Sequence, residues 1–129
     1  MRRVILDTNV LIMFLRDPDQ FIDELASYDR IVLTPVVVGE FMAGITATRI
    51  GEENMRALED FMDNPAVEER AMTSETGEFY ARIYRQLRQK GTPIPTNDIW
   101  IAATAQEYGC ELFTRDAHFK NIEGLTVIQ

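Results

Sequence analysis

The chain opens with a short apolar run, Val4-Ile5-Leu6, that stops at Asp7 and resumes almost at once as VLIMFL. The first run predicts a buried strand. TNVLIMFLR predicts a helix that ends before Asp17-Pro18, because the residue preceding a proline disfavours helix. FIDELASY, from Phe21, has the spacing of a second amphipathic helix, and Ile31-Val32-Leu33 repeats the strand pattern. Thr34-Pro35 reads as an N-cap with proline at the first helical position, opening VVVGEFMAGI as a helix. The β-branched run Val36 to Val38 keeps a strand as the competing assignment there. A helix over Glu52 to Met62 stops at Asn64-Pro65, and Val67 lies in a short strand. Ser74 or Thr76 starts a long helix closed by Gly91. PIPTND is a loop from which Thr96 or Asn97 caps the helix IWIAATAQEY, which ends at Gly109. ELFT is a strand, Asp116 starts a turn or a short helical piece, and LTVI is the last strand.

Strands alternating with helices predict an α/β fold: a central parallel sheet with helices on both faces. Right-handed crossovers then gather the carboxyl ends of the strands along one edge, where ligands bind in such folds. Four acids fall near that edge. Asp7 directly follows the first strand, Asp116 follows ELFT, and Asp98 starts the IWIAATA helix. Glu40 lies about one turn into the helix after the second strand. Each sits in an apolar neighbourhood (ILD, VVVGEF, DIWIA, LFTRD), whereas Glu52-Glu53, Glu59-Asp60 and Glu68-Glu69 lie in polar runs expected on solvated faces. Converging carboxylates repel one another unless cations bind. Oxygen donors of this kind suit a hard divalent ion, Mg²⁺ or Mn²⁺, which lowers the pKa of a bound water and clamps phosphate oxygens. Plainer roles remain open for three of them. Asp98 suits a first-turn position, Asp116 a turn, and Glu40 an exposed helix site.

Composition adds two constraints. With 129 residues, 46% of them hydrophobic, the chain suits one ordinary core and a single domain over 1–129, with no visible repeat or linker. The net charge of −8 argues against a whole-surface basic footprint for nucleic acid. A nuclease remains compatible with it, since a carboxylate site works only once cations neutralise it. No apolar run is long enough to span a bilayer, Asp7 spoils the start as a signal peptide, and the lone Cys110 suits a reducing compartment; cytoplasmic residence is the expectation.

LDTNVLI, GEFMAGI, NDIWIAATA and LFTRDAHFKNIEGLTVI resemble, in order and over essentially the whole chain, the motifs of PIN-domain proteins, most closely the VapC-type toxins of toxin–antitoxin pairs. The resemblance implies a three-layer α/β/α sandwich and a Mg²⁺- or Mn²⁺-dependent ribonuclease whose acidic quartet falls on Asp7, Glu40, Asp98 and Asp116. Thr114 matches the polar residue before the last acid, and Asn9 is assigned to orient Asp7 or a metal water. A small VapB-like antitoxin partner, an RNA substrate and a homodimer are implied as well.

Outside the quartet, Arg82, Arg85 and Arg88 form a stripe on the long helix, extended by Lys90, that suits RNA phosphates or an ordinary solvated face equally well. Arg115 suits a phosphate contact or a pair with a quartet acid. His118, the only histidine, is assigned to the surface or a turn; Trp100, Phe113 and Phe119 are assigned mainly to packing. Met13, Phe14, Phe41 and Met42 are candidates for a partner-binding patch or for core. The alternatives are an RNA-processing nuclease of the same fold outside a toxin–antitoxin pair, a binding-only module, a receiver-type signalling domain and an aspartate phosphatase. A receiver wants adjacent acids after the first strand, and the phosphatase wants a second aspartate where Asn9 stands.

Overall fold

The computed structural model describes residues 1–129. The elements run β1 (Arg3–Leu6), α1 (Thr8–Arg16), a 3-10 turn (Pro18–Gln20), α2 (Ile22–Ala26), β2 (Arg30–Leu33), α3 (Pro35–Ala43) and α4 (Arg49–Met62). They continue with β3 (Val67–Glu69), α5 (Ser74–Lys90), α6 (Thr96–Glu107), β4 (Cys110–Phe113), a second 3-10 turn (Ala117–Asn121) and β5 (Val127–Ile128). All strand pairs are parallel, in the order β3-β2-β1-β4-β5. In the centre, Val4 pairs with Ile31 on one side and Glu111 on the other. Val4, Ile5 and Leu6 are fully buried, as a strand covered on both faces requires.

From β1 the chain steps to β2 and β3 through α1 to α4. It then crosses back through α5 and α6 to β4 on the far side of β1. Right-handed crossovers in opposite directions place these helix groups on opposite faces, which gives the α/β/α layering. The direction reverses between β1 and β4, so their carboxyl ends splay into a crevice. This order is not the 2-1-3-4-5 arrangement of receiver-type domains.

Local sequence accounts for most boundaries. Thr34 caps α3 by accepting from the Val37 amide at 3.1 Å, with Pro35 at the first position, so the β-branched run that follows is helical. The α4 helix starts at Arg49, ahead of the expected Glu52, because Thr48 provides a cap, accepting from the Gly51 amide at 3.2 Å. The α5 helix does start at Ser74, but Thr73 is its cap, in a capping box with Thr76. Gly91, at φ +71°, closes it.

Three expectations need correction. Neither Thr96 nor Asn97 caps α6: Pro95 occupies the cap position, Thr96 is already helical, and no side chain caps this end. FIDELASY shortens to α2, because Pro18 directs a separate 3-10 turn and Phe21 turns inward, 2% exposed, edge-on to Phe113. The β4 strand covers Cys110–Phe113, leaving Thr114 just beyond its end. Phe113 and Phe119 are core residues, whereas Trp100 is half-buried against Tyr80. Phe14 and Met13 pack partly against the core, Phe41 is buried, and Met42 is exposed. No helix is long and apolar enough to cross a membrane.

Candidate active site at the carboxyl edge of the sheet

Asp7 continues β1 by one residue, its amide donating to the Phe113 carbonyl at 3.0 Å. The residue is 5% exposed. One oxygen accepts from the Thr8 amide at 2.8 Å, capping α1, and the other accepts from the Thr114 hydroxyl at 2.7 Å. No lysine or arginine forms an ion pair with it. Burial pushes its pKa above the ordinary carboxylate range. The two hydrogen bonds oppose that rise, and the negative charges of Asp116 and Glu40 add to it.

Thr114 is fully buried and ties two acids together. Its hydroxyl donates to Asp7 and accepts from the Asp116 amide at 2.9 Å. Asp116 then caps the second 3-10 turn by accepting from the His118 amide at 2.9 Å. Asp98 stands in the first turn of α6 with its side chain 17% exposed. Burial, followed by the charges of Asp7, Asp116 and Glu40, raises its pKa to about 6. Glu40 is exposed on α3 and accepts from the Thr8 hydroxyl at 2.8 Å, which links α1 to α3.

The four expected acids therefore gather at the β1/β4 crevice. Thr114 joins them, but Asn9 does not: it is exposed and its side chain makes no hydrogen bond. Thr8 holds a quartet acid instead. A hydroxyl directly after a strand-end acid was the available signal for it. His118 is exposed in the second 3-10 turn, as expected of a surface or turn residue, and its imidazole Nδ1 lies 3.1 Å from Asp116 Oδ1. The arginines stand apart from the acids. Arg82 stacks on Phe79 at 4.7 Å, and Arg88 lies over Tyr84 while donating to its hydroxyl at 2.9 Å. Arg85 is exposed without an ion pair, and Arg115 lies over the Phe21 ring at 5.5 Å rather than pairing with an acid.

The donor set suits a divalent cation. Carboxylate oxygens dominate it, no basic side chain other than His118 answers their charge, and donor atoms of Asp98, Asp116 and His118 lie within 4.8 Å of one another. The largest cavity, about 500 Å³ among Phe79, Gln106, Cys110 and Glu123, lies at the opposite end of β4 and contains none of these acids.

A doubly wound sheet with carboxylates at its switch point defines a class of α/β protein, and the comparisons name it. The model of the PIN domain matches residues 4–125. The chain is 30% identical to ribonuclease VapC4 of Mycobacterium tuberculosis over 98% of this chain and 96% of that protein. It is 27% identical to ribonuclease VapC5 of the same organism, over 97% and 91%. The crystal structure of VapBC2 from Rickettsia felis, bound to a DNA fragment from its promoter, matches with TM-score 0.85 at 25% identity, over 98% of this chain and 97% of the other. VapBC-1 from nontypeable Haemophilus influenzae matches with TM-score 0.82 at 26% identity, over 98% and 97%. The chain belongs to the PIN-domain family, in its VapC ribonuclease branch.

Proposed function

We propose that the chain is the ribonuclease toxin of a toxin–antitoxin pair, hydrolysing RNA phosphodiester bonds with Mg²⁺ or Mn²⁺ held by Asp7, Asp98, Asp116 and Glu40. The observation that carries this is Asp7: a buried carboxylate, hydrogen-bonded by Thr8 and Thr114, among three other acids and without a basic partner of its own. Such an arrangement is costly unless a cation completes it. A divalent ion bound there supplies an activated water and neutralises phosphate oxygens.

The chain's own residues do the positioning. Thr114 fixes both one Asp7 oxygen and the Asp116 backbone, so these two ligands hold a common frame. Thr8 holds Glu40 at the rim of the crevice. Arg88, Arg85 and Arg82 on α5, with Arg115 beside Asp116, supply cations toward an RNA backbone in a chain of net charge −8. The antitoxin, a VapB-like protein, takes the groove of about 430 Å³ between α1, α3 and α4, where Ile12, Leu15, Phe41 and Ile50 stand beside Arg16, Glu53 and Asn54. An adjoining groove continues to Glu40, so a segment lying there reaches the rim of the site. The chain works as one PIN-like domain over 1–129, as a homodimer and in the cytoplasm.

The test uses the purified chain free of any partner, incubated with total cellular RNA and Mg²⁺ or Mn²⁺, with new 5′ ends mapped. Discrete cuts that vanish with EDTA and in Asp7→Asn support the reading. A folded chain that cuts nothing with either ion overturns it.

A further inference from the structure

Three acids and a threonine were expected around Asp7; an imidazole was not. His118 is the second residue of the turn that Asp116 caps, and its backbone amide makes the capping bond. Its Nδ1 stands 3.1 Å from Asp116 Oδ1 and 3.8 Å from Asp98 Oδ2. Asp98 and Asp116 come from different elements, α6 and the segment after β4, so the ring sits between acids that the chain brings together only in the fold. Two donors held about 2.1 Å from one ion lie about 3 Å apart when at right angles and about 4.2 Å apart when opposite. The ring nitrogen and its nearest carboxylate oxygens already have separations of one shared coordination shell. A surface hydrogen bond to Asp116 alone would not require the ring to approach Asp98 as well. The imidazole is 54% exposed, which leaves room on the solvent side for the waters and the substrate oxygens that such an ion keeps.

We propose that His118 is a nitrogen ligand of the metal held by Asp98 and Asp116, and that it biases this site toward Mn²⁺ and other imidazole-binding ions over Mg²⁺. The inference rests on the metal-binding reading above. All-oxygen sites suit Mg²⁺, Ca²⁺ and Mn²⁺ alike, whereas one imidazole favours the transition ions. Binding an ion through Nδ1 uses the tautomer that carries its proton on Nε2.

Electron spin-echo spectroscopy of the Mn²⁺-loaded chain reads this without any assay of cleavage. The wild type is expected to show nitrogen modulation from a directly bound ring, and His118→Ala to lose it. Calorimetry of the same pair is expected to show Mn²⁺ affinity about tenfold lower in the variant, with Mg²⁺ affinity little changed. His118→Asn keeps a hydrogen-bond donor toward Asp116 without the ring and is expected to behave as His118→Ala. Bound Mn²⁺ without nitrogen modulation, or unchanged affinity ratios in both variants, overturns the histidine ligand and leaves the carboxylate site standing. A wild-type chain that takes up neither ion overturns the metal site itself and the inference with it.

Discussion

Two regions of the sheet treat acidic residues in opposite ways. Away from the β1/β4 crevice, Glu111 and Glu68 each meet arginine side chains. Arg2 pairs with Glu111 at 3.0 Å while its amide donates to Asp29 at 2.7 Å. On the outer strand β3, Glu68 lies between Arg30 at 3.0 Å and Arg70 at 2.8 Å. Where the strands end, Asp7, Glu40, Asp98 and Asp116 meet hydroxyls, amides and one imidazole, and no lysine or arginine. Exposed pairs of the first kind contribute little and could be exchanged cheaply. Like charges gathered as in the second kind, with Asp7 buried among them, are destabilising in isolation. The carboxyl edge is where unanswered negative charge costs the fold stability.

The sharpest way to break the contrast is by neutralisation. Asp7→Asn or Asp98→Asn is expected to lower RNA cleavage by more than about a hundredfold, whereas Glu68→Gln on the arginine-paired strand β3 leaves it within about twofold. Comparable losses in both regions would remove the distinction. The second largest effect is on melting. Mg²⁺ or Mn²⁺ at about a hundred times its dissociation constant should stabilise the wild type by about 2.7 kcal/mol and Asp7→Asn far less. Unchanged melting temperatures on adding either ion would show that no cation completes the edge.

Titration offers a third test, with a defined sign. The folded pKa of Asp98, about 6, stands above the ordinary 3.8, so the folded chain holds more protons than the unfolded one between those values. The Asp98 contribution to metal-free stability is therefore expected to be fully present below about pH 4 and to be lost, by about 3 kcal/mol, as pH rises through 6. Asp98→Asn should flatten that part of the profile in a denaturant series at fixed pH steps. A wild-type profile that rises over the same range would show that Asp98 is answered by a positive charge after all. Thr114→Val leaves an Asp7 oxygen and the Asp116 amide without their partner and should cost about 1–3 kcal/mol while pushing the Asp7 pKa further up. Thr8→Val, at the exposed rim, should cost under about 1 kcal/mol and reduce cleavage only several-fold, read as kcat/KM on a defined RNA.

Much of the architecture was legible along the chain because its signals are local. The Val4-Ile5-Leu6 run, the Thr34-Pro35 cap and Gly91 each act within one turn, and α1 and α3 begin where those signals stand. The cap of α6 was not legible: Thr96 and Asn97 are good capping types, but the chain enters from Pro95 already committed to helix. The four acids were legible because Asp7 and Asp116 follow strands, Asp98 opens a helix, and Glu40 lies about one turn into the helix after β2, all toward one edge. Thr8 was missed because its part depends on a partner far away in sequence, Glu40. His118 does lie exposed in a turn, as expected, but its approach to Asp98 of another element leaves no local signal.

What the sequence determined by itself was the alternation of strands and helices, and hence that the strand-end carboxylates share one edge; hydrophobic periodicity and capping are short-range and can be read off the chain. What only the tertiary structure decided was who answers those carboxylates. Thr114 binding Asp7 across 107 positions, Thr8 binding Glu40 across 32, and a lone histidine turned toward two acids of different elements are set by the order of strands and by helix packing. A pairing between distant residues leaves no periodic trace along the chain, because the energy that selects it appears only once the sheet has closed around it.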